Sequence, residues 1–190
     1  MAEVILSREQ LENAARSAVV ACLGLDPASA AAQKAVRVSW PVAGKPGSSP
    51  GWARDEDVCF LRLTESTSDP YGNLQDITHA YDSAADRQRE IVCYTRVHVC
   101  YLIFYGPHAF DHADSVRIGL FRSAVRAALK DKNLYPVPGV GAPVRAPELF
   151  NSEWWERADL TVTLYEYVRR EYDEEHYETV ENQTFSDGGR

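Results

Sequence analysis

Two histidines and two aspartates lie close together in the segment HAFDHAD, where His108 and His112 are four residues apart. Side chains at positions i and i+4 share one face of an α-helix, so this pair could bind zinc with Asp111 or Asp114 as a third ligand. Pro107 precedes the segment, and the helix is expected to start at about Asp111, which places the two histidines on different structures. A helix cap with two histidines in a loop explains the pattern as well, and we predict no metal site.

A second group that could do chemistry consists of two cysteines and a histidine within one apolar run. If that run is a strand, Cys93 and His98 lie on opposite faces, whereas Cys100 shares a face with His98. A cysteine nucleophile needs a base within hydrogen-bond reach, and the spacing does not favour such a pair. We interpret His98 as a hydrogen-bonded histidine of a sheet. The sequence also lacks GxSxG, GxGxxG and P-loop motifs, so we predict no catalytic residue and no cofactor.

The composition narrows the class of protein further. The formal net charge of −8 argues against a general nucleic-acid binder, which would present a basic face. The four cysteines form no CxxC pair and three lie in apolar runs, which favours buried, reduced thiols. The N-terminus shows no charged-then-apolar leader, so we expect no secretion signal.

The run REIVCYTRVHVCYLIFY, residues 89–105, predicts the central element of the fold, because it contains no Gly, Pro, Asn or Asp and is rich in β-branched and aromatic residues. It is not a membrane span, since Arg96 and His98 lie in its middle. Side chains alternate between the two faces of a strand. The first face, which carries every second residue from Ile91 to Tyr105, is nearly all apolar, and the second face is mixed in its middle. We therefore predict a central strand packed closely on the first face and partly covered on the second. At roughly 3.3 Å per residue it would extend about 50 Å, beyond one core and towards another chain.

Other patterns supply the elements around this strand. A capping box at Ser7 and Gln10 begins a first helix, which ends at Gly24. A second helix of about five turns is expected from about Asp111 to about residue 133. Further strands are predicted at residues 36–40, 58–64, 76–81 and 160–167, with possible continuation over 168–177 and a return strand at 177–180.

Together these elements predict an α+β fold, a mostly antiparallel sheet with two main helices packed on one face. We predict a single domain over residues 1–181. Loop or arm extensions are expected at 41–52 and 135–150, which are rich in proline and glycine, and a flexible C-terminal tail at 182–190. The acidic run at 171–175 is either a solvated hairpin tip or an acidic surface that repels DNA or meets a basic ring on a partner.

Several segments resemble a family of tailed-bacteriophage neck proteins of the tail-terminator, or tail-completion, type. They cover residues 30–170 and are QKAVRVSWPVAGKP, DVCFLRLTES, DPYGN, YLIFYGPHAFDHADSVR and APELFNSEWWERADLTVTLYEY. The most telling pieces are Tyr105-Gly106-Pro107 before a helix, and Pro147-Glu148-Leu149 followed by WERADL. These pieces are landmarks of the fold and include no catalytic signature.

The resemblance implies a non-enzymatic structural protein of the virion, assembled in the host cytoplasm. Such proteins form a ring, commonly a hexamer, that caps the head-proximal end of the tail tube and joins it to the head–tail connector. The implied partners are other copies of the chain, the tail tube protein and the connector or head-closure protein. Genomic DNA would pass through the lumen without sequence-specific binding, and no membrane is involved. The alternatives are a head-closure or adaptor protein of the connector, a small metal-dependent enzyme using His108, Asp111 and His112, and a host adaptor domain.

Aromatic residues are the candidate anchors of subunit or partner interfaces, because large aromatic side chains dominate the binding energy of such surfaces. We assign this role as a hypothesis to Trp52, Tyr105, Phe150, Trp154 and Trp155. Trp52 follows the loop of residues 41–51 and has two open alternatives: it anchors an interface or folds back onto the core.

Overall fold

A seven-stranded sheet organises the chain in its computed structural model, which describes residues 5–38, 51–66, 76–84, 87–150 and 152–174. The helices are α1 (Arg8–Cys22), α2 (Ala30–Ala35), α3 (Ala109–Gly119) and α4 (Ser123–Lys130). The strands are β1 (Val36–Val38), β2 (Val58–Glu65), β3 (Asp76–Asp82), β4 (Arg87–Tyr105), β5 (Leu134–Pro136), β6 (Val144–Arg145), β7 (Glu148–Phe150), β8 (Glu153–Trp155) and β9 (Arg157–Glu174). The fold is α+β, as predicted.

The main sheet has the strand order β1-β2-β4-β9-β5, with β3 beside β4 and β6 beside β9. Only the short β1–β2 pair is parallel among these described pairings, and the others are antiparallel. The strands β4 and β9 pair continuously from Gln88↔Glu174 to Tyr105↔Arg157. A separate two-stranded sheet is formed by β7 and β8.

The long central strand is confirmed as β4, with 19 residues. Its second half pairs with β2 and its first half with β3, so different neighbours support its two ends. The strand stops at Gly106, whose φ of 113° suits glycine. A Cβ atom at Gly106 would also lie 2.7 Å from the Asp57 Cα atom, so both conformation and space require glycine here.

The main core lies on the face of β4 that carries Cys100, Leu102 and Phe104, against α1, α3 and α4. The prediction that the other face is the closely packed one is wrong for most of the strand, since Tyr101 on that face is exposed. Arg96 and His98 make the helix-covered face the more polar one in sequence, but its last residues, Cys100, Leu102 and Phe104, are the ones that α1, α3 and α4 cover. Which side the helices cover depends on tertiary packing, which the alternation along one strand does not contain. Ile103, which lies on the same face as Tyr101 and Tyr105, joins a smaller core on that side of the sheet.

The first helix has the predicted capping box, in which Gln10 N donates to Ser7 Oγ and Ser7 N donates to the Gln10 side chain. The single helix predicted after Asp111 is wrong in two respects. It begins at Ala109, two residues before Asp111, and it is interrupted after Gly119. Gly119 packs so closely on Cys22 of α1 that a Cβ atom would lie 2.8 Å from the Cys22 Cβ atom. The break lets α4 turn Val125 and Leu129 into the core.

The loop or arm extension predicted at 135–150 contains part of β5 and all of β6, both of which pair with β9, and also β7. The strand predicted at 160–167 is confirmed within β9, and so is its continuation as far as Glu174. Residues 41–50 of the extension predicted at 41–52, the return strand at 177–180 and the tail at 182–190 lie outside the described residues.

No helix in the described part of the chain combines the length and the apolar character that crossing a membrane requires.

Candidate functional site

An aromatic cluster lies on the sheet face opposite the helices, near the end of β4, and consists of Trp52, Phe60, Tyr105 and Trp155. The Trp52 ring lies 4.8 Å from the Phe60 ring, 5.4 Å from the Tyr105 ring and 5.8 Å from the Trp155 ring, measured between centroids. The alternating pattern of β2 and β4 points Phe60 and Tyr105 to this face, away from the helices. Of the two alternatives for Trp52, an interface anchor or a side chain that folds back onto the core, the structure shows the second.

A polar network borders this aromatic cluster. The Tyr105 hydroxyl donates to the Glu148 carboxylate over 2.7 Å, and Arg157 donates to the same carboxylate over 3.1 Å. Arg157 also binds Asp159 through two nitrogens at 2.8 and 2.9 Å. Burial, followed by the hydrogen bond to Glu148, raises the pKa of the Tyr105 phenol well above its ordinary value. The network fixes β7, which carries Glu148, to the main sheet.

The β7–β8 hairpin presents two apolar side chains to solvent. Leu149 and Trp154 are cross-strand partners, and 57% of Leu149 and 65% of Trp154 is exposed. Their neighbours Glu148 and Trp155 point the other way, into the network and the aromatic cluster. Because successive strand residues alternate in direction, burying Trp155 forces Trp154 outwards.

The five predicted interface anchors are thus in different places. Tyr105 and Trp155 are buried in the aromatic cluster and Trp52 is partly buried there, whereas Trp154 is exposed. The backbone of Phe150 ends β7 opposite Glu153. Their role in an interface stays a prediction. Sequence reasoning missed Phe60, Leu149 and Arg157, although a period of two through β2 and through the EWW segment would have indicated the first two.

A buried polar cluster connects the N-terminus to the sheet. The Glu166 carboxylate, 1% exposed, accepts hydrogen bonds from Arg96 at 2.8 and 2.9 Å, from His98 at 2.7 Å and from Leu6 N at 3.3 Å. Arg96 in turn donates to the Leu6 carbonyl over 3.2 Å. Burial alone would raise the pKa of Glu166, but the bonds from His98 and Arg96 outweigh it and hold that pKa below its ordinary value. His98 is a hydrogen-bonded sheet histidine, as predicted.

The HAFDHAD segment forms a helix start that is held to a neighbouring loop. His108 N and Nδ1 lie 2.9 and 2.8 Å from the two carboxylate oxygens of Asp57, which raises the pKa of the imidazole. His112 lies within α3, with its ring 6.0 Å from the His108 ring. Asp114 binds Arg117 over 3.4 Å. No group of three or more His, Cys, Asp and Glu side chains could hold a metal ion within the residues that the structure describes.

The strands β3, β4 and β9 continue together as a three-stranded arm beyond the strands that the helices cover. One face of this arm carries a ladder of ion pairs, in which Arg87 binds Asp173 at 3.0 Å and Arg89 binds Asp82 at 2.9 Å and Glu171 at 3.2 Å. Three members of the acidic run, Glu171, Asp173 and Glu174, are therefore paired within the chain, since Glu174 lies 3.0 Å from His79. Their charge is therefore partly compensated within the chain, and Glu175, the last residue of the run, lies outside the described residues.

The fold is therefore of the α+β class, with a long, mostly antiparallel sheet. Its hairpin and its arm carry exposed apolar and charged side chains. The model of one family, described as phage neck terminator protein, matches residues 9–189. The chain belongs to this family, as the sequence resemblance indicated. Its role is a structural one in the phage neck, which is part of the virion. A search of curated proteins finds no match.

Proposed function

We propose that this protein is a non-enzymatic tail terminator. It forms a ring, most simply a hexamer, on the head-proximal end of the tail tube and joins the tail to the head–tail connector. The observation that carries this proposal is the family match over residues 9–189. The proposed partners are other copies of the chain, the tail tube protein and the connector or head-closure protein, and assembly takes place in the host cytoplasm.

The shape of the chain supports the proposal. A ring needs two different surfaces on each subunit, one for each neighbour. The arm of β3, β4 and β9 continues beyond the helix-covered part of the sheet, and the β7–β8 hairpin packs on the face opposite the helices. Both carry exposed apolar residues. Exposed aromatic side chains on such extensions are typical anchors of protein interfaces.

The charge of the chain supports the proposed passage of DNA through the lumen. The net charge is −8, and Arg87 and Arg89 of the arm already bind carboxylates of the same chain. Phosphate binding depends on free Lys and Arg side chains that can displace counterions. A ring of such subunits would let DNA slide rather than hold it.

Electron microscopy of virions assembled without this protein tests the function. A terminator that is missing leaves tails of abnormal length or tails that are not joined to heads. DNA-filled heads that leak, together with tails of normal length, would assign the protein to head closure instead and would refute the proposal. Restoring the protein in the same host is the control.

A further inference from the structure

An apolar groove between α1 and α4 lies on the helix side of the sheet. Its cavity volume is about 560 Å³, within the range of about 300–1,000 Å³ that is typical of binding pockets. The walls consist mainly of small and apolar side chains, among them Ala14, Ala18, Ala128 and Leu129. Two basic residues, Arg122 and Lys132, line the groove, and none of the described lining residues is acidic.

The β7–β8 hairpin lies on the opposite side of the sheet, because Trp155 packs on the face that carries Tyr105 while the groove helices pack on the other. Its exposed tip combines the apolar pair Leu149 and Trp154 with the carboxylate of Glu153. The Glu153 side chain is 61% exposed, and among the described residues its ion pair is a distant one, 3.9 Å from the exposed Arg54.

We propose that the β7–β8 hairpin of one copy inserts Trp154 and Leu149 into the α1–α4 groove of the next copy. This inference rests on the proposed ring and names its subunit contact. The occupant is a second copy of this chain because the acidic, apolar hairpin complements the apolar groove with its basic residues, and both surfaces occur on each chain.

The position of the two surfaces explains why such a contact would propagate. A surface on one side of the sheet that binds a different surface on the other side is a heterologous interface. Each bound copy leaves one free hairpin and one free groove, so addition continues until the chain of copies closes. The aromatic cluster and the Glu148 network hold the hairpin rigidly, which lowers the entropy lost on binding.

Sedimentation analysis of full-length variants tests this contact. Trp154→Ala removes the main anchor, and Ala128→Glu places a like charge and extra bulk in the groove. Each change is expected to weaken self-association by about 30-fold or more, the effect of losing an interface hot spot. Ala128→Lys, which adds similar bulk but keeps the groove basic, is expected to weaken it less. Ile118→Ala removes an exposed apolar side chain of α3 outside the groove and should leave self-association unchanged.

Mixing the two defective variants gives the decisive observation. A Trp154→Ala chain keeps its groove and an Ala128→Glu chain keeps its hairpin, so a mixture is expected to form a dimer of one copy of each and nothing larger. A mixture that stays monomeric, a Trp154→Ala protein that associates like wild type, or a wild-type protein that stays monomeric at every concentration would overturn the inference. Rings that persist in Trp154→Ala would refute this contact and leave the terminator function standing, because the virion experiment decides that function separately.

Discussion

Replacing Glu166 by glutamine is expected to destabilise the protein by about 3 kcal/mol. The carboxylate accepts four hydrogen bonds, and a glutamine amide offers one oxygen and turns an NH₂ group towards the remaining donors. Hydrogen bonds to charged groups contribute about 1.5–3 kcal/mol each, and breaking a buried ion pair costs about 3–5 kcal/mol. Arg96 is 22% exposed, so water compensates part of this loss and the lower end applies.

Urea unfolding followed by circular dichroism measures this effect. With a slope of about 2 kcal/mol per molar urea, the midpoint should fall by roughly 1.5 M. Glu65→Gln is the matched control, because Glu65 approaches the same guanidinium, at 3.5 Å, but is 67% exposed. An exposed ion pair contributes little, and this control should lose less than about 0.5 kcal/mol.

The pH dependence of the same variants gives a second readout. Since folding lowers the pKa of Glu166, the stabilisation it provides is fully present above its ordinary pKa of about 4.3 and is lost as the pH falls through the folded-state pKa. The difference in free energy of unfolding between wild type and Glu166→Gln should therefore shrink on acidification. Equal losses for the two variants, or a difference that is constant with pH, would refute the assignment of a buried, ionised Glu166.

Gly106→Ala should destabilise the fold by about 3 kcal/mol or more in urea unfolding, because the positive φ and the backbone of Asp57 exclude a Cβ atom. A loss below about 1 kcal/mol would contradict this explanation. Tyr105→Phe should cost about 1–2 kcal/mol in the same assay through the lost bond to Glu148, and an unchanged midpoint would show that this bond is not stabilising. An aromatic disulfide reagent at pH 8 should react rapidly with one thiol of the native protein, that of Cys93. The other three thiols are buried, and burial raises their pKa values, to about 12 for Cys100. Rapid reaction of all four thiols would contradict the packed core.

Much of the fold was predictable because local signals agree with the final structure. The capping box at Ser7 and the breaker-free run of residues 89–105 specify α1 and β4 without help from the rest of the chain. Other features depend on contacts between distant segments. The need for glycine at position 119 follows from the close approach of Cys22, about a hundred residues away in sequence, and no local pattern contains that information.

The candidate surfaces were predictable in kind but not in detail. Aromatic residues near the EWW segment pointed to an anchor, yet only the pairing of β7 with β8 shows that Trp155 is buried and Trp154 exposed. The groove between α1 and α4 could not be anticipated, because the sequence predicted one continuous helix where the chain forms two. Likewise the acidic run gave no sign that Arg87 and Arg89, more than eighty residues earlier, would bind its carboxylates.

Light scattering on the purified protein, which gives its mass in solution, tests the central claim most directly. Negative-stain microscopy is carried out on the same sample and on tail tubes to which the protein has been added. A terminator is expected to give a closed ring with an open lumen, or a cap of that shape on one end of each tube. A protein that remains monomeric and leaves both ends of the tubes unchanged would contradict the proposal.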